Sequence, residues 1–245
     1  MKMISYLFNE IFYRPLLNGL IFLYNVIPGH DIGLSIIVLT VAIRLALWPF
    51  TAKTIKSQKI MEGLKPKIEE INRRFKNDKE SRAKGLMGLY KENKINPLGG
   101  FLSLIIQIPI IIALWRVFLN IIKTVDKSSF YWFVMAPDQI QFMFLGLFDL
   151  SRRNVLLAIV AAALQYFQTK MIMPSSAKAT EGGPSTDFSR IMSRQMLYMG
   201  PVLSIIIFFN LPAAIPLYWT VVTLLTILQQ YLIQKHDYGR EIGKS

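Results

Sequence analysis

Apolar and polar residues alternate along this chain in blocks, and the length of each block predicts a different kind of helix. Gly33–Phe50 is an apolar run of 18 residues broken by one charge, Arg44. As a helix it rises ~27 Å, close to the thickness of a bilayer's hydrocarbon core. Further apolar runs of spanning length cover about 98–118 and 155–173. The last block, Met196–Gln234, has 39 residues, and as one helix it would reach about 60 Å, twice that thickness. It must fold back, and Pro212 and Pro216 supply the break, giving spans over about 197–211 and 215–234.

The blocks between these runs read differently. Residues 3–27 are apolar and aromatic but are interrupted by Asn9, Glu10, Arg14, Pro15 and Asn18. Such a pattern fits a helix lying in the membrane interface, and residues 1–32 form this N-terminal amphipathic segment. Residues 51–96 carry 13 Lys and Arg against 6 Asp and Glu. Within them Leu64, Ile68, Ile71 and Phe75 recur at helical spacing, followed by Asn77-Asp78 and a second helical stretch with Leu86, Leu89 and Tyr90. The pattern predicts a helical hairpin with Asp78 as an N-cap and Pro66 bending the first arm. Asn96-Pro97 opens the second span as N-cap and first-turn proline, and Trp115-Arg116 mark its outer end. Ile140–Leu150 is apolar but too short to span, so residues 119–153 read as an outer loop with an interfacial segment. Residues 174–195 form a polar loop rich in Ser, Gly and Thr.

Composition and charge turn these blocks into a topology. The 245 residues are 53% hydrophobic with a mean hydropathy of +0.38, yet the net charge is +13. A soluble domain is more polar, and a basic nucleic-acid binder rarely carries such aliphatic runs. The basic 51–96 hairpin belongs in the cytoplasm by the positive-inside rule. Five spans starting outside then place the C-terminus in the cytoplasm, in agreement with Lys235, Arg240 and Lys244. Arg152-Arg153 run against that order, and counting Ile140–Leu150 as a span would invert everything downstream. The expected fold is an all-α polytopic membrane protein with five transmembrane helices. A core over 33–235 precedes a short tail, 236–245.

The chemistry on offer is sparse. With no cysteine, the chain cannot form disulfides, iron–sulfur clusters or a thiol nucleophile. Its two histidines, His30 and His236, sit in a loop and a tail, outside any metal or triad spacing. There is no phosphate-binding lysine loop and no Gly-flanked serine nucleophile, so neither an enzyme nor a cofactor is expected. Arg44 carries the sharpest signal, because arginine at membrane depth costs about 2.5 kcal/mol or more and usually faces protein or water. The five runs contain no carboxylate to pair with it. Snorkelling to the inner interface is the plain alternative. Thr40 lies one turn away on the same face, and Gln165 and Gln168 share a face of the third span. Gln107 and Trp219 complete the candidate groove, although Trp219 reads equally well as packing.

Several short motifs occur in order: Thr40–Pro49, Ser57–Met61, Leu64–Ile68, Leu89–Lys91, Asn96–Gly100, Gln107–Ile110, Gln168–Lys170 and Pro212–Trp219. In this order the chain resembles the YidC-type membrane protein insertases over roughly residues 33–235. The resemblance implies a positively charged groove, open to cytoplasm and lipid, that receives a substrate helix and its short translocated tail. Arg44 matches the groove arginine, Thr40 and Trp219 the contacts facing a substrate, and Gln165 or Gln168 the groove amide of the third span. The hairpin, with Lys65, Lys67, Arg73, Arg74 and Lys76, is similar to one thought to recruit substrate or ribosome. Implied partners are nascent membrane proteins, the lipid bilayer, the ribosome, the signal recognition pathway and the Sec translocon, with a monomer sufficient. The implied location is the bacterial plasma (inner) membrane. Ser103 and Phe101 depart from the family pattern in the second span, and the form expected is a short one, without a large extracytoplasmic domain or a lipobox cysteine. A small-anion channel built on Arg44, or a translocon scaffold, stands as the alternative.

Overall fold

The computed structural model describes residues 2–94, 99–123, 127–172 and 198–242. The chain is helical almost throughout. It begins with α1 (Lys2–Phe8), a π-helical turn over Asn9–Tyr13 and α2 (Arg14–Val26), then α3 (Ile32–Ala46) and α4 (Trp48–Gly63). α5 (Lys65–Arg74), α6 (Lys79–Glu92) and α7 (Gly99–Lys123) follow. A two-stranded hairpin, β1 (Met143–Phe144) with β2 (Phe148–Asp149), precedes α8 (Val155–Ile172), α9 (Tyr198–Phe208) and α10 (Ala214–Ile242). Among the described residues Ile106–Lys123 and Ala214–Ile233 are each long and apolar enough to cross a membrane. Ile32–Ala46 with Trp48–Met61 makes a third if the pair is one broken span. Val155–Met171 and Tyr198–Phe208 are shorter apolar helices.

The chain divides into two compact units, one of residues 1–46 and 109–228, the other of 47–108 and 229–245. In the first, α2 lays Leu16, Leu17, Leu20, Ile21 and Tyr24 into the core beside Ile32 and Ile36 of α3. The polar residues that mark 3–27 as interfacial have specific uses here. Asn18, 2% exposed, donates to the Ser129 carbonyl at 3.0 Å and accepts the Tyr131 amide at 2.7 Å, which ties α2 to the loop after α7. Arg14 pairs with Glu10 at 2.9 Å. Arg116 of α7 stacks over Phe8 and Tyr13, and Asn120 donates to the Tyr13 hydroxyl at 2.8 Å. α7 therefore runs on to Lys123, past the expected end at 118, and Trp115-Arg116 lie within it and do not mark its end.

The first expected span also ends early. α3 stops at Ala46, because Pro49 has no N–H to donate back to Leu45 and its ring crowds that carbonyl; Trp48 and Pro49 open α4 instead. Thr51 Oγ1 donates to the Leu47 and Trp48 carbonyls beside the break. The other expected break is made by Pro212 alone: Pro216 sits at the third position of α10, where no intrahelical N–H bond is required. The backbone there is tied down, Ala213 and Ala214 N–H donating to the Arg152 and Leu150 carbonyls at 2.7 and 3.1 Å. Asn96-Pro97 and the 174–195 loop lie outside the described residues.

In the second unit, α5 and α6 form the expected hairpin around Leu64 and Leu89, each 8% exposed, with Met61, Ile68 and Ile71 packed against them. A side chain at Gly85 would sit 3.1 Å from Ile71 Cγ2, so this glycine lets the arms approach. Asp78 caps α6 by accepting the Glu80 and Ser81 amides at 3.1 and 3.0 Å. Pro66 does not bend a continuous arm. The helix breaks at Leu64 and Pro66 occupies the first turn of a new one, α5.

Candidate functional site

Within the 1–46 and 109–228 unit, two polar constellations interrupt the apolar packing. The first joins α3 to α10: Arg44 Nη2 donates to Thr226 Oγ1, whose own proton goes to the Val222 carbonyl at 2.7 Å. The arginine is half-buried, and its hydrogen-bond partner among the described residues is a neutral hydroxyl, so its positive charge stays uncompensated by any ion pair there. Thr40, one turn before it, is 2% exposed and returns its hydroxyl to the Ile36 carbonyl at 2.6 Å. It is part of the packed interior and not of an open wall.

The second constellation joins α8, α9 and α10. Gln165 Oε1 accepts from Ser204 Oγ at 2.5 Å and from the Trp219 indole at 3.2 Å. Gly200 faces the other end of the same amide, where a Cβ would lie 3.3 Å from Gln165 Nε2. Small residues of this kind let membrane helices approach closely enough for side-chain amides to bridge them. By spacing alone Gln165 and Gln168 are equivalent; Gln165 is the one tied into this set, while Gln168 is half-buried and takes no part in it. Gln107 falls in the other unit.

An apolar cleft of about 520 Å³ borders the second constellation. Ile111, Leu114, Trp115 and Phe118 of α7 line one side, with Ser204, Ile207 and Phe208 of α9 and Tyr218 and Trp219 of α10 on the others. Trp219 thus holds Gln165 with its N–H while its ring faces the cleft and meets Phe208 edge-on, 5.7 Å between centroids. Sequence reasoning missed Ser204 and Thr226. Both look like ordinary hydroxyls in apolar runs, although Thr226 lies seven residues after Trp219 and therefore on the same helical face. In the hairpin, Lys67, Arg73, Arg74 and Lys76 are exposed, and the Arg74 guanidinium lies 5.5 Å over the Phe75 ring. Lys65 is at the start of α5. Among the described residues no cluster of His, Asp and Glu could hold a metal ion.

Apolar helices of spanning length, bridged at depth by an arginine–hydroxyl bond and a shared glutamine, define a multi-pass membrane protein. The family profile described as "60Kd inner membrane protein" matches residues 22–240, and the chain belongs to that family. It is 36% identical over 223 residues to the "Membrane protein insertase YidC" of Syntrophus aciditrophicus, covering 90% of this chain and 36% of that protein. To the protein of the same name from Geotalea daltonii it is 32% identical over 222 residues, covering 91% of this chain and 37% of the relative. The chain spans about a third of the length of these two relatives. The Fusobacterium nucleatum protein of the same name, 32% identical over 226 residues, is covered to 97% of its length.

Proposed function

We propose that this chain inserts newly made membrane proteins into the plasma membrane and helps them fold, acting without hydrolytic or redox chemistry. Membership in the family and relatives named as insertases support the activity. The observation that carries the mechanism is Arg44, a cation in an apolar helix whose hydrogen-bond partner is the neutral Thr226. A charge left uncompensated at that depth draws an acidic or polar tail inward and shortens the low-dielectric path it must cross. The substrate's helix then partitions into lipid. Burial of ~20 apolar residues drives this step, so the insertase only lowers the barrier.

In this reading Arg44, Thr40, Gln165, Gln168 and Trp219 belong to one groove, Thr40 and Gln168 joining it when helices part for a substrate. Five spans place the N-terminus outside and the C-terminus in the cytoplasm. The basic hairpin meets incoming complexes through Lys65, Lys67, Arg73, Arg74 and Lys76, whether these come from the ribosome, the signal recognition pathway or the Sec translocon.

The test is insertion of a short single-spanning protein with an acidic translocated tail into liposomes containing only this chain, scored by protease protection. Arg44→Ala should slow insertion of the acidic-tailed substrate by about tenfold, the equivalent of ~1.4 kcal/mol in the barrier, and leave a neutral-tailed one close to wild type. Equal losses on both substrates would reject the electrostatic step. No protection above empty liposomes by the folded chain would reject autonomous insertion.

A further inference from the structure

The loop between α7 and α8 presents apolar side chains where a water-facing loop would carry polar ones. Residues 139–148 contain no charge. Leu147 is 70% exposed, Leu145 58% and Met143 46%, and in the same loop Trp132 is 96% exposed and Met135 79%. Leu145 and Gly146 both have positive φ, +50° and +69°, and the Leu147 amide closes the turn on the Phe144 carbonyl at 2.9 Å. This is the tight turn of a two-stranded hairpin, and its first central position favours Asn, Asp or Gly. A leucine there is disfavoured by its backbone and by its exposure, and strain of this sort persists only where the surroundings hold it.

Here the surroundings do hold it. Asp31, at the start of α3, accepts the Leu145 amide on Oδ2 at 2.6 Å while its Oδ1 caps the helix through the Leu34 amide at 3.0 Å. Phe144 fills the space over Gly33, where a Cβ would fall 2.2 Å from Phe144 Cδ2. Tyr24 and Asn25 of α2 bind the Gln141 amide and the Met135 carbonyl at 2.9 and 2.7 Å. The apex therefore cannot fold back to bury its leucines against its own helices.

We propose that the apex, Met143, Leu145 and Leu147, is seated at the boundary between lipid headgroups and acyl chains and fixes the depth of the 1–46 and 109–228 unit in the bilayer. Lipid is the occupant by continuity, since the loop leaves the apolar helix α7 and re-enters the apolar helix α8. The exposed Trp132 of the same loop is what an interfacial aromatic looks like. A protein partner would want a broad patch, roughly 800 Å² on each side, which a three-residue apex does not offer.

The absence of cysteine gives a direct test. Leu147→Cys and Met143→Cys, each spin-labelled in the full chain and reconstituted in phosphatidylcholine–phosphatidylglycerol vesicles, are compared with Gln139→Cys of the same loop. All three positions are exposed, so the labels should not disturb folding. Collision with a water-soluble nickel chelate should be several-fold lower at 147 and 143 than at 139, with collision by oxygen correspondingly higher. Nickel access at the apex equal to that at 139 would overturn the proposal by placing the apex in water. Protection from both reagents would overturn it in favour of a protein contact.

Discussion

The α5–α6 hairpin and the apolar unit of residues 1–46 and 109–228 are both built of helices, yet their helices are held together by opposite means. In the hairpin a narrow seam around Leu64 and Leu89 is the core, and the surface outside it is rich in charge. Water drives that seam shut. In the apolar unit the outer faces are aliphatic, and what distinguishes inside from outside is small or polar. Ala113, Ala158 and Ala161 are fully buried, Asn18 and Ser35 are 2% exposed or less, and Gln165 bridges three helices. Lipid offers apolar side chains no reason to leave it, so close backbone approach and hydrogen bonds between helices supply the specificity. A seam marked by Leu under a charged surface in one region, and by small and polar residues among buried aliphatics in the other, is the same packing problem solved for two solvents.

Truncating each seam separates the two cases most directly. Leu89→Ala should cost the hairpin about 2 kcal/mol, seen as roughly thirtyfold faster amide exchange across α5 and α6. Exchange in α2 and α3 should stay unchanged; loss of protection there as well would mean that the hairpin is not an independently stabilised element. Gln165→Leu is the counterpart in the apolar unit. Leucine is close in volume and more apolar, so if apolarity held these helices together nothing would be lost. With the amide bridge holding them, the expected loss is about 1 kcal/mol, the scale of a hydrogen bond between membrane helices. Trp219 reports on it, because an indole that loses its acceptor and loosens beside the cleft shifts its emission. An unchanged spectrum and unchanged thermal stability would leave Gln165 without a structural role.

The two regions also differed in how far the sequence revealed them. The hairpin was legible almost residue by residue, because amphipathic spacing in water marks the seam and Asp78 marks the turn. The apolar helices were legible as blocks, but their ends were not. The stops at Ala46 and Lys123 depend on Pro49 and on contacts such as Asn120 with Tyr13, which no hydropathy pattern encodes. Arg44 stood out because a charge at depth is rare, whereas its partner Thr226 and the Ser204 partner of Gln165 were invisible: hydroxyls are common in membrane helices and bond to their own backbone. The β1–β2 hairpin was missed altogether. Its turn carries Leu145 where Asn or Asp would have announced it, so Ile140–Leu150 read only as an interfacial segment too short to span.

The smallest expected effect tests whether the hairpin's turn obeys aqueous rules. Asp78 lies in solvent, and its carboxyl is held below the ordinary carboxylate range first by the Ser81 side chain and then by the Ser81 and Glu80 amides. A carboxyl whose pKa is lower in the folded state contributes stability that is fully present above its unfolded value, about 3.9. That contribution fades as pH falls through the lowered folded value, where the cap oxygen takes up a proton. Amide exchange in the first turn of α6, corrected for the intrinsic pH dependence, should therefore be steady from neutrality to just above pH ~4 and rise below it. Asp78→Asn keeps a capping oxygen without the titration and should flatten the profile. A rise of the same size in Asp78→Asn would leave Asp78 a cap whose charge does not matter.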